Sequence, residues 1–148
     1  MSFAVTIEPR GLGPIQERLK NLGALQMAEV MDAVGQLVEG QTHRRIREEQ
    51  TTPEGAPFAE WSPEYAATRK SGQKKLFSGG DLDDSIQHFL DPAGGQVEIG
   101  TNLVYAATHQ FGRGGIPARP FLGLSGENLR EIDRLVTEIL DPKLEGRP

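Results

Sequence analysis

Cysteine is absent from the chain, which excludes disulfides, thiolate nucleophiles and cysteine-ligated zinc. Long apolar runs are missing as well: nowhere do roughly 18 consecutive apolar residues occur, the least that a spanning helix needs. The start, MSFAVTIEPRG, has no basic stretch leading into an apolar one, so the chain is expected to be soluble and unexported. Positive charge is in deficit, with 16 Lys and Arg against 21 Asp and Glu, a formal net charge of -5. A protein that binds by neutralising phosphates needs a basic surface, so stable nucleic-acid binding is disfavoured, with local basic patches left open. No internal repeat is visible.

What is present suits one domain. A chain of 148 residues, 36% hydrophobic and 25% charged, is long and apolar enough for a single core. The expected organisation is one domain over 1–148, with a long loop at about 51–80 and a short tail at about 142–148.

Phe3, Val5 and Ile7 alternate with polar positions, the period of a strand with one buried face, and Pro9, Gly11, Gly13 and Pro14 end it. A short helix is expected over 14–22. Next, Met27, Met31, Val34, Val38 and Ile46 recur at helical steps, placing one apolar stripe on a long helix with Asp32, Glu39, Arg44 and Glu48 on its wet side. Gly35 and Gly40 each cost such a helix about 1 kcal/mol, which points to close packing or a bend near them.

Residues 51–80 carry three prolines and four glycines with no sustained period, and read as a long connection. One helical turn is expected where Ser62 can cap and Pro63 can take the first helical position. Arg69, Lys70, Lys74 and Lys75 cluster here, the one place suited to touching something anionic, although a plain solvated loop accounts for them too. DLDDSIQHFLDPAGGQVEIGTN reads as two short strands about a turn at Asp91, Pro92, Gly94 and Gly95, with Val97 and Ile99 on one face. NLVYAATHQFG suits a short helix ended by Gly112, PFLGL an edge or terminal strand, and Ser125 the cap of a last helix that Asp141 and Pro142 stop. The order implies an α+β fold: a small, mainly antiparallel sheet packed against a long helix in the N-terminal half and a C-terminal helix.

Chemical motifs are weak by comparison. His43, His88 and His109 show no i, i+4 pairing, and are read as structural or surface residues. Asp81, Asp83 and Asp84 lack the later ligands of a calcium loop and are expected in solvent beside a turn at Gly79 and Gly80. FGRGG lacks the lysine and hydroxyl of a phosphate loop, and no G-x-S-x-G elbow occurs. Tyr105 and His109 share a helix face, where they could do proton chemistry or pack as an aromatic pair. In IPARPF, Arg119 stands between Pro117 and Pro120, so its backbone is pre-set. Beside Phe121 it has the composition of an interface anchor, or equally of a proline-shaped connector with a solvated arginine.

Read together, TPEGAPFAEWSPEYAATRK, LFSGGDLDDSI, VEIGTNLVYAATHQFG and IPARPFLGLS, followed by an acidic amphipathic helix, resemble the virion morphogenesis or tail-completion family of tailed bacteriophages, notably its Mu-like members. The likeness runs from about residue 24 to 141, and departs where Phe58 stands in place of an expected tryptophan, with Trp61 three residues on. It maps Tyr105, His109, Gln110, Phe111 and Gly112 onto one family segment and Ile116, Pro117, Ala118, Arg119, Pro120 and Phe121 onto another, neither of them an established catalytic site.

The resemblance implies a non-enzymatic structural protein without a cofactor, acting late in assembly at the neck or head-proximal end of the tail. It implies a ring homo-oligomer, hexamer-like, built in the host bacterial cytoplasm and placed in the virion. Its implied partners are copies of itself and the neck, connector and tail tube proteins; DNA passes transiently through the channel, and no membrane is involved. An acidic subunit suits a channel wall, since basic walls would hold phosphates. The assembly contacts expected are Arg119, Phe121, Phe58, Trp61, Arg69 and Lys70, with the 51–80 loop ordering on contact with neighbours. Two other readings stand beside this one: a small metal-dependent hydrolase using His109, Tyr105 and the acids of 81–84, and a nucleic-acid-binding factor working through residues 69–75.

Overall fold

The computed structural model describes residues 3–8, 12–13, 15–70, 72–77, 80–91, 93 and 95–141. Pro9, Gly11, Pro14, Gly79, Pro92, Gly94 and the 142–148 tail lie outside them. The fold is α+β. Strands β1 (Phe3–Ile7), β2 (Gln87–Leu90) and β3 (Val97–Thr101) form an antiparallel sheet in the order β1-β3-β2. Val5 faces Ile99 across one ladder and His88 faces Ile99 across the other, so β3 is central. Val97 and Ile99 are fully buried, as a period-two pattern with one covered face requires.

Helix α1 (Ile15–Leu19) precedes the long helix α2 (Ala24–Arg44), which runs into a π-helical turn at Arg45–Glu49. Val30, Met31, Val34, Val38 and Ile46 make the buried stripe of α2 and its extension, and Met27 packs at the edge. The cost of Gly35 is offset by packing: a Cβ there would lie 2.5 Å from Val97 Cγ2 and 2.9 Å from His88 Cδ2. It is the point where α2 presses on the sheet. Gly40 shows no such neighbour.

Helix α3 (Pro63–Ala66) is the turn capped by Ser62, whose Oγ accepts from the Tyr65 amide at 3.2 Å. Asp81–Ser85, expected as strand and solvent-exposed acids, is instead a helix, α4. Gly80 supplies the left-handed entry at φ 88°, the acids favour the positive end of the turn, and Leu82 is buried beneath it. Helix α5 (Ala106–Phe111) and helix α6 (Gly126–Leu140) complete the chain. Ser125 caps α6 through a full capping box with Asn128, and Ile132 and Val136 close the core.

PFLGL is not a strand. Gln110 takes over the role a neighbouring strand would have: its Oε1 accepts from the amides of Phe121 and Leu122 at 3.0 and 3.1 Å, and its Nε2 donates to the Leu122 carbonyl at 2.9 Å. No helix among the described residues is long and apolar enough to cross a membrane.

Candidate functional site

The loop after α2 is held to the body at both ends. Gln50, left-handed at φ 57°, donates to the carbonyls of Ile46 and Lys75 at 2.7 and 2.8 Å and accepts from the Lys75 amide at 2.8 Å. Lys74 Nζ donates to the Arg47 carbonyl at 2.5 Å, and Phe58 is sunk in the core, 2% exposed. These contacts tie the described residues of the loop to the body of the same chain.

Arg119 fixes its middle. The guanidinium donates to the carbonyls of Ala59 and Glu60 at 2.6 and 2.9 Å and is only 7% exposed, and burial, foremost, lowers its pKa. The prolines beside it do pre-set the backbone, but the anchor points inward. Phe121, with no exposure, is likewise a core residue. Within the single chain the contacts that Arg119, Phe121 and Phe58 make are internal ones.

Between loop and fingerprint lies a cleft of about 490 Å³. One wall is Trp61, Tyr65, Arg69 and Lys74; the other is Tyr105, His109, Ile116 and Pro117, with Asp81 and Leu82 at the floor. Trp61 and Tyr65 meet edge to face at 5.9 Å, and the Arg69 guanidinium lies 5.6 and 5.3 Å from their ring centres. Lys75 Nζ stands 5.3 Å from the Trp61 ring. Lys70 is exposed outside the cleft, where its amide donates to Gln73.

Opposite, α5 is terminated by Gly112 at φ 77°, where a Cβ would strike the Ile116 carbonyl at 2.8 Å and the Ala118 amide nitrogen at 2.9 Å. Only glycine lets the chain fold back through the Arg113–Ile116 turn to bring Ile116 and Pro117 over the cleft. Pro120 then leads the chain away, with the Arg119 amide bonded to the His109 carbonyl at 2.6 Å. Tyr65, Tyr105 and Ile116 are exposed at 47%, 42% and 48%, and Val104 and Phe111, at the two ends of α5, at 87% and 67%. Contiguous exposed apolar groups are a common feature of binding surfaces.

The hydrolase residues do partly converge, since Tyr105, His109 and Asp81 line the same cleft. Tyr105 and His109 touch as rings, edge to face at 5.5 Å. Burial, then Arg119, lowers the His109 pKa, while burial, then Asp81, raises that of Tyr105. Both shifts come chiefly from burial, and what the structure shows between the two rings is an edge-to-face aromatic contact. Among the described residues no group of three or more His, Asp or Glu could hold a metal ion.

Asp83 departs from expectation altogether. It is 1% exposed, paired with Arg47 and with His43 Nδ1 at 2.8 Å. Glu39 carries the chain onward, meeting His43 Nε2 at 3.4 Å and His88 Nδ1 at 2.5 Å. Sequence spacing shows only its Glu39–His43 step, four residues apart on α2, because the remaining members lie on the π-helical turn, α4 and β2. Arg45 was also missed: it is 2% exposed and donates to the Phe121 carbonyl at 2.6 Å and Asn128 Oδ1 at 2.9 Å. A signal existed, since position 45 falls seven residues after Val38 on the apolar stripe of α2.

The profile of the phage virion morphogenesis family matches residues 11–141 and so takes in α1 to α6 and both walls of the cleft. The chain belongs to that family. No individual curated protein and no solved structure gives a significant match to it. Membership makes the protein a phage structural and assembly protein, associated with the virion, and residues of the 104–123 stretch line one side of the cleft.

Proposed function

We propose that this virion morphogenesis protein acts at the head–tail junction, at the head-proximal end of the tail, as a ring-forming tail-completion protein with no enzymatic step of its own. Its partners are further copies of itself, most simply six, and the neck, connector and tail tube proteins that the ring joins. It is made in the host bacterial cytoplasm and ends in the neck or tail of the particle. The observation that carries this reading is the exposed apolar and cationic surface around the cleft, built by the loop and by the family fingerprint. A small acidic subunit gains nothing from keeping Tyr65, Val104, Phe111 and Ile116 in water unless an assembly covers them.

A nonsense mutation at this locus in the parent phage is the test. It is expected to yield full heads and separate tails that fail to join, with joining restored by the chain supplied in trans. Normal infectious particles without the chain would overturn the assignment.

A further inference from the structure

The cleft needs an occupant, and the far end of α2 has the matching chemistry. Leu25, Glu29, Asp32 and Gln36 are all exposed and fall at steps of four, three and four, within one narrow face of the helix. Leu25 is 89% exposed, the most exposed large apolar side chain described. Glu29 has no cation within pairing distance among the described residues, and Asp32 meets only His88, at 3.3 Å. Between residues 21 and 43 the chain has three carboxylates and neither lysine nor arginine. The cleft carries the opposite charge in excess, Arg69 and Lys74 against Asp81, and the rings of Trp61, Tyr65 and Tyr105 line it for an aliphatic side chain. Arg69 Nε is buried there without a hydrogen-bond partner.

The two surfaces also lie at opposite ends of the molecule's longest element. The cleft is fastened to the C-terminal end of α2 through Arg47, Gln50 and Asp83. Leu25 stands roughly 30 Å away at 1.5 Å per residue, too far for one chain to cover its own cleft. A patch and its complement at opposite ends of one subunit associate head to tail, the arrangement that gives a ring when the rotation between copies closes.

We infer that the cleft between Trp61–Lys74 and α5 receives the Leu25, Glu29, Asp32 face of α2 from a second copy of this chain. The inference rests on the ring reading given above and names its contact. Leu25 enters between Tyr65 and Ile116, and the carboxylates pair with Arg69 and Lys74.

Charge exchange tests it. Glu29→Lys with Asp32→Lys reverses one surface; Arg69→Glu with Lys74→Glu reverses the other. Purified wild-type chain is expected to show an oligomer mass that builds with concentration. Each double variant alone is expected to be a monomer, with association weakened about a hundredfold. An equimolar mixture of the two, and the chain carrying all four changes, are expected to regain the oligomer, since both pairings again join opposite charges. Leu25→Ser, at a position with nothing to lose in folding, is expected to weaken association with an unchanged circular dichroism spectrum.

A monomeric wild type, a double variant that still assembles, or a mixture that stays monomeric would each overturn the contact. A wild type that is monomeric yet is captured through the cleft by a purified neck or tail protein also overturns it, and assigns the cleft to that partner. The assembly role fails separately: a chain that follows this mixing pattern but is dispensable for infectious particles loses the role and keeps the interface.

Discussion

Two regions of this molecule treat their polar and apolar groups in opposite ways. In the body, formed by α2, the sheet and α6, buried charge is answered from within: Arg45 by Phe121 and Asn128, Asp83 by Arg47 and His43, His88 by Glu39. In the cleft region, Tyr65, Val104, Tyr105, Phe111 and Ile116 are five of the seven large hydrophobics left exposed among the described residues. Of the three buried side-chain atoms without a hydrogen-bond partner among the described residues, two, Arg69 Nε and His109 Nδ1, belong to cleft residues. A body closed upon itself supplies stability. A surface left incomplete supplies association, and the contrast separates folding residues from assembly residues.

The contrast predicts a graded series. Phe121→Ala, in the body although it belongs to the fingerprint, should cost about 3–5 kcal/mol in denaturant unfolding. Gly35→Ala should cost about 1–3 kcal/mol, because the new methyl meets Val97 and His88 and overpacks the α2–sheet contact. Arg119→Ala joins the two regions: it removes two charge-assisted bonds to the loop, worth about 1.5–3 kcal/mol each at most. Hydrogen exchange should quicken over residues 57–77 while β3 and α2 stay protected, and virion joining should fall as the cleft wall loosens. Equal deprotection everywhere would erase the distinction.

Smaller effects sharpen it further. The pKa of His109 lies below its ordinary value of 6.5, chiefly through burial and then through Arg119. As pH falls through 6.5 the unfolded chain takes up the proton before the folded one does. The stabilisation is therefore complete above that pH and is lost progressively below it. Thermal unfolding between pH 7 and 5 should show this slope, and His109→Gln should flatten it. Smallest for folding is Tyr65→Ala, expected within about 0.5 kcal/mol of wild type because half of the ring is already in water. Its effect should appear in sedimentation instead, as weakened self-association.

The fold was largely readable in the sequence where one period governed one element. The α2 stripe, the alternation in β1 and β3, the Ser62 and Ser125 caps and the Gly112 stop all recur in the structure at the positions expected. What failed was set by distant partners. Asp81–Ser85 became a helix because Gly80 opens a turn and Arg47 and His43 wait for Asp83. PFLGL lost its strand to the amide of Gln110. The candidate site was readable residue by residue and not as a whole: Trp61, Arg69, Tyr105 and His109 were each singled out, but that they line one cleft is set by the fold. Arg119, Phe121 and Phe58 face inward, since a single sequence shows that an arginine is rigid but not which carbonyls lie within its reach.

The most direct test of the central claim is the density of the intact virion at the neck. The account predicts this chain as a closed ring at the head-proximal end of the tail, with the cleft of each subunit filled by α2 of the next and Leu25 between Tyr65 and Ile116. A particle that lacks the chain, or a ring whose clefts open to solvent, would contradict it.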